Sequence, residues 1–132
     1  MSPRASRKDI EAARTLVRAR DGHRCAMCGT LLMVCGQWQS VHHRKPKGMG
    51  GSALLENASN LVQLCGVGNA DGCHGRAHSN PHWARNHGWI VARALDPTEI
   101  PVDMYDGWHT LADDGTRSPT PSPLLQATGE AV

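Results

Sequence analysis

Phenylalanine is missing from the 132 residues, tyrosine occurs once, and four tryptophans are the only other large rings. Fourteen glycines and eight prolines interrupt what regular structure there is. Together these exclude a large apolar interior, and a small, loop-rich fold of this kind needs a staple beyond its core. Long apolar runs are also lacking. The opening stretch MSPRASRKDIEAARTLVRARDG holds nothing suited to a signal peptide or a membrane span, so no membrane partner is expected and the compartment is taken as cytoplasmic and reducing. Five cysteines in such a compartment favour metal binding over disulfides.

Net charge is nearly absent too, at a formal +2, yet its distribution is uneven. Residues 1–50 carry ten Lys/Arg against three acids (+7), and residues 51–132 carry four against nine (−5). The basic half suggests a polyanion partner, with a solvated basic helix as the alternative.

The length suits one domain, divided into a basic N-terminal helix over residues 1–22, a zinc-stapled body over 23–117 and a disordered tail over 118–132. Between Arg7 and Arg20 the residues Ile10, Ala13, Leu16 and Val17 recur at helical spacing, with Ser6 as N-cap and Asp21-Gly22 as stop. A short strand is expected from Trp38 to His43. Pro46 ends it, and Gly48, Gly50 and Gly51 follow in a flexible or sharply turned loop. NASNLVQLC reads as an extended or turn segment. Asp71 or Gly72 begins a helix that carries Cys73 to His78, and Pro81 opens another that runs to about His87 and closes at Gly88. GWIVARAL and DGWHTL are strand-like, DDGT is a turn, and SPTPSPLLQATGEAV from Ser118 onward is poor packing material.

Cys25-x2-Cys28 and Cys65-x7-Cys73 stand thirty-six residues apart, a pattern that fits a tetrahedral four-cysteine zinc site with a pair from each half of the chain. A redox pair or buried thiols without metal are the alternatives. Cys35 is read as a spare thiol. His74-x3-His78 sets two imidazoles on one helix face, suited to joint coordination of an ion. His42 is the natural third ligand, leaving positions on the ion open for water and substrate. Its neighbour His43 points to the opposite side of the strand, and an imidazole with a pKa near 6.5 suits a general base. Arg44, Lys45 and Lys47, with Arg14, Arg18, Arg20 and Arg24, are candidates to grip phosphates, solvated charge being the alternative. Trp83, Trp89 and Trp108 are expected as anchors of a small core.

VHHRKPKGMGG, NASNLVQLC and CHGRAHSNP, in that order, together resemble the HNH nuclease family, most closely the small HNH endonucleases of phage genomes. The resemblance spans about Cys25 to His78 and, more loosely, GWIVARALDPTEIPV. It implies an α+β fold with a ββα-metal (His-Me finger) core, a two-stranded hairpin with a helix across one divalent ion, here joined to the N-terminal helix and the zinc-binding cysteines. It implies that His42 is a metal ligand, His43 the general base, Asn60 the residue that holds the catalytic loop by hydrogen bonds, and His74 the completing ligand. His78 sits where some relatives place a ligand and others a water. The chain departs from the usual two-residue spacing of the second cysteine pair, with GVGNADG between Cys65 and Cys73.

The activity implied is hydrolysis of DNA phosphodiesters by weakly specific nicking or cleavage. It would use Mg2+, Mn2+, Ni2+ or Zn2+ at the catalytic site beside the structural Zn2+, and no small organic cofactor. The setting implied is host cytoplasm and phage genome packaging, with terminase and portal proteins as partners. A non-catalytic zinc-ribbon DNA-binding or assembly protein would account for the cysteines and the basic half, but not for His42-His43 with Asn60 and His74-x3-His78. A zinc-stapled module for protein partners gains only from the tryptophan-bearing C-terminal segment.

Overall fold

A computed structural model describes residues 5–32, 39–46, 53–68 and 70–124. Cys35, Trp38, Lys47, the three loop glycines and the tail from residue 125 lie outside the described residues.

Helix α1 covers Arg7–Arg20, and its start is fixed as the sequence dictates, the Ser6 hydroxyl accepting the Asp9 N–H at 3.1 Å. Its buried apolar residue, Val17, meets Ala58 and Leu61, with Ala13 and Val41 at the edge. At its end Asp21 takes the Arg20 guanidinium on both oxygens (2.8 and 3.0 Å). Arg20 also donates to the carbonyls of Ala58 and Leu61 (2.8 and 2.7 Å), so the helix is bolted to the strand that follows Ala58.

Strands β1 (Gln39–His43) and β2 (Leu61–Cys65) pair antiparallel, with His42 opposite Val62 and His43 opposite Leu61. Cross-strand partners share a face, and successive residues alternate. Val62 and Leu64 thus join the larger core with Ala77, Ala84 and Trp89, while Leu61 and Val41 face α1. Both faces of β2 are covered, and Leu61 to Leu64 are all buried.

Helix α2 (Gly72–Ser79) packs on β2, and α3 (Pro81–Asn86) follows at once, with Pro81 in its first turn. A second sheet of β3 (Val102–Met104), β4 (Gly107–Leu111) and β5 (Arg117–Pro119) runs as an antiparallel meander in that order. Among the described residues the fold is therefore mixed α+β, with three α-helices and two small sheets. Among the described residues no helix is long and apolar enough to cross a membrane.

Two expectations fail. The tail does not begin at Ser118, because Ser118 pairs with Thr110 and Pro119 with His109. Proline is tolerated there since β5 is an edge strand. GWIVARAL is not a strand. Its residues Trp89 and Val91 are buried, but the carbonyls of Gly88 and Trp89 are taken by side chains of Arg44 and His42 rather than by a ladder. Apolar alternation marked burial here, and the hydrogen bonding decided against a strand.

Candidate functional site

The first cluster joins Cys25, Cys28, Cys65 and Cys73, whose sulfurs all lie within 4.8 Å of one another. Cys25 and Cys28 sit on a tight turn closed by the Gly29 N–H on the Cys25 carbonyl (2.8 Å). Cys65 ends β2 and Cys73 enters α2, and the seven-residue insertion between them closes because two glycines meet back to back. Gly66 (φ 111°) and Gly72 (φ 61°) take left-handed backbone, and a Cβ on either would lie 2.3 or 2.5 Å from the carbonyl of Asp71 or Cys65.

The Cys28 and Cys65 sulfurs are 3.9 Å apart. The edge of a zinc tetrahedron with 2.3 Å bonds is about 3.8 Å. The amides of Cys28 and Cys73 point at the sulfurs of Cys25 and Cys65 (3.5 and 3.4 Å), as donors to thiolates do. Burial pushes the Cys25 thiol up to about 11, and burial with the neighbouring thiols pushes Cys73 up as well. Burial also works against Cys28, but hydrogen bonds from Thr30 and the adjacent cysteines bring it down to about 7. A divalent cation removes the cost of ionising four adjacent thiols, so this donor set fits a structural metal such as zinc.

The second cluster is His42, His74 and His78, with ligand nitrogens within 4.8 Å of one another. His74 and His78 lie one turn apart on α2 with Nε2 atoms 3.1 Å from each other. His42 reaches them from the same face of β1 that carries Val62 of β2 into the core. The Trp89 carbonyl takes the His42 Nε2–H at 2.6 Å, which leaves the lone pair on Nδ1. Burial, followed by the charges of His74 and His78, holds His42 down to about 4. His74 is lowered by burial and by His78. Both rings are thus neutral at physiological pH, the state in which imidazole binds a metal.

His43 lies on the other face, opposite Leu61. Its Nε2 meets Glu56 Oε2 at 2.7 Å. Asn60 is buried and ties together the two sides of the glycine-rich stretch: its Oδ1 accepts the Lys45 N–H (2.8 Å), and its Nδ2 donates to the Lys45 and Leu55 carbonyls (3.3 and 2.9 Å).

The phosphate-gripping candidates divide. Arg44 is wholly buried and cannot reach a phosphate. Its guanidinium donates to the carbonyls of Ser59, Gly88, Pro97 and Ile100 (2.8, 2.9, 3.0 and 2.6 Å), and burial followed by the Arg20 charge lowers it to about 9. The Arg20 side chain, 1% exposed, is likewise occupied by Asp21. Arg24 spends one N–H on the Gly29 carbonyl (3.0 Å). Lys45 remains half-buried at the wall of a cleft of about 510 Å³ that also holds Arg93. Trp89 is a core anchor, as expected, and Trp83 packs against the same core; Trp83 and Trp108 also flank His87 in a stack capped by Arg76.

Glu56 and the Trp89 carbonyl were missed by sequence reasoning. Glu56 had one faint signal, an acid within the otherwise apolar ALLE. The carbonyl had none, since any residue would supply it. No family model, curated protein or solved structure matches the chain.

Proposed function

We propose that the chain is a metal-dependent endonuclease that hydrolyses DNA phosphodiesters, on a ββα-metal core of the HNH type stapled by zinc at its four clustered cysteines. One observation carries the reading: the adjacent residues His42 and His43 are divided between two faces of the strand and two sets of partners. His42 converges with His74 and His78, while His43 is held apart by Glu56 on the opposite strand face. The β1–β2 hairpin with α2 against it supports the ββα assignment.

His42, His74 and His78 would hold the catalytic ion, which when bound supplies positive charge for the phosphate and the departing oxygen. Three nitrogens favour the later transition metals in affinity, with Mg2+, Mn2+, Ni2+ and Zn2+ as the ions to compare. His43 takes a proton from water, whose oxygen forms a bond to phosphorus as the bond from phosphorus to the leaving oxygen breaks. Asn60 keeps the loop beside His43 in place. Lys45, with Arg14 and Arg18 of α1, contacts flanking phosphates, which position the duplex without reading its sequence. The family resemblance adds phage genome packaging as the setting, and a pull-down with purified terminase and portal proteins tests that part.

Two variants test the chemistry. His42→Ala is expected to weaken metal binding and cleavage, with partial rescue by excess metal. His43→Ala is expected to leave metal and DNA binding intact and to slow single-turnover nicking of supercoiled DNA by about 10²-fold or more. If His43→Ala cuts at the wild-type rate, the HNH mechanism is wrong for this chain; if wild type does not cut at all, a zinc-ribbon DNA-binding module takes the place of the nuclease reading.

A further inference from the structure

His43 and Glu56 face each other in a nearly closed space, their side chains 12% and 8% exposed and 2.7 Å apart. A carboxylate only accepts hydrogen bonds, so the hydrogen of the neutral ring is placed on Nε2 and the basic lone pair on Nδ1. Glu56 is itself fixed. It ends the 3-10 turn Ala53–Glu56, and the carbonyl of the residue before it, Leu55, is held by Asn60 at 2.9 Å. The same Asn60 amide grips Lys45, two residues beyond His43. One buried side chain thus sets the spacing between the strand that carries His43 and the turn that carries Glu56.

Stability alone does not favour this acid. The second oxygen, Oε1, is buried without a hydrogen-bond partner among the described residues, and burying a half-satisfied carboxylate costs free energy that an apolar residue of similar size would not. The ring it meets, that of His43, is the group assigned the proton transfer.

We propose that Glu56 is the positioning residue for His43, holding the ring in one tautomer and one orientation while Asn60 holds Glu56. This rests on the nuclease reading. In the step, a water proton passes to Nδ1 of His43, the water oxygen bonds to phosphorus, and the bond to the leaving oxygen breaks. The Nε2–H stays on Glu56, which touches neither water nor DNA.

The test is single-turnover nicking of supercoiled plasmid with added Mg2+, Mn2+, Ni2+ or Zn2+ in turn, by wild type, Glu56→Gln, Glu56→Ala, His43→Ala and the Glu56→Ala/His43→Ala pair. DNA affinity and thermal unfolding are measured on each. Glu56→Gln keeps an acceptor oxygen and is expected to slow cleavage about tenfold, and Glu56→Ala by up to about a hundredfold, both with wild-type DNA affinity. In the His43→Ala background the Glu56→Ala change is expected to cost less than twofold further, because a residue that acts through His43 has nothing left to position. Equal slowing in both backgrounds would make Glu56 a general support of the fold and overturn the proposal. So would Glu56→Ala cutting at the wild-type rate while His43→Ala is slow. If wild type cuts with none of the four ions, the nuclease reading falls and this role falls with it; an unaffected Glu56→Ala in an active enzyme removes only this role.

Discussion

At the scale of single residues, three neighbours in one strand and its exit have three different fates. His42 turns toward α2, His43 toward Glu56, and Arg44 into the interior. Period-two alternation made the division of the two histidines readable from the sequence. The burial of Arg44 was not readable, since an arginine in a run of basic residues looks like surface. What claims it is a set of four backbone carbonyls from distant segments, and these outbid any phosphate. Arg44→Met is therefore expected to lower unfolding free energy in urea by about 3 kcal/mol or more, because carbonyls are left buried and unpaired. Lys45→Ala is expected to change stability by less than about 0.5 kcal/mol while weakening DNA binding and flattening its salt dependence. The reverse pattern would show that Arg44 is the phosphate contact.

At the scale of elements, α1, α2 and α3 were legible because periodic apolar residues, caps and prolines are local signals. GWIVARAL misled for the opposite reason: whether an apolar segment becomes a strand depends on a partner edge, and here side chains hold its carbonyls. The cysteine pairs lie between these cases. Their spacing announced a shared site, but the seven-residue insertion closes only through the contact of Gly66 and Gly72. Elemental analysis is expected to find one tightly bound zinc per chain, unchanged by Cys35→Ser. Gly72→Ala forces a side chain into left-handed backbone and against the Cys65 carbonyl, so it is expected to destabilise the protein by about 2 kcal/mol or more and to lower zinc content. Full zinc occupancy and stability in Gly72→Ala would disprove that account of the loop.

At the scale of the molecule, the two clusters of candidate metal ligands answer to different demands. The four cysteines link the turn after α1 to the junction of β2 and α2, whereas the three histidines join β1 to α2. Thiolates hold zinc more tightly than three imidazoles hold a divalent ion. Mild chelation is accordingly expected to stop cleavage while far-UV circular dichroism is unchanged, and stronger chelation to unfold the chain. Loss of both together at every chelator concentration would contradict two separable sites. Composition by itself pointed to a core too poor in large apolar residues to stand without a staple, and spacing marked the cysteines and histidines that cluster, because both follow from short-range chemistry. Tertiary structure alone decided that Glu56 meets His43, that the Trp89 carbonyl sets the tautomer of His42 and that Arg44 is interior. Each of these pairs residues from separate segments that come together only when the chain reverses, and the contact with the Trp89 carbonyl is to the backbone, which has no letter in the sequence.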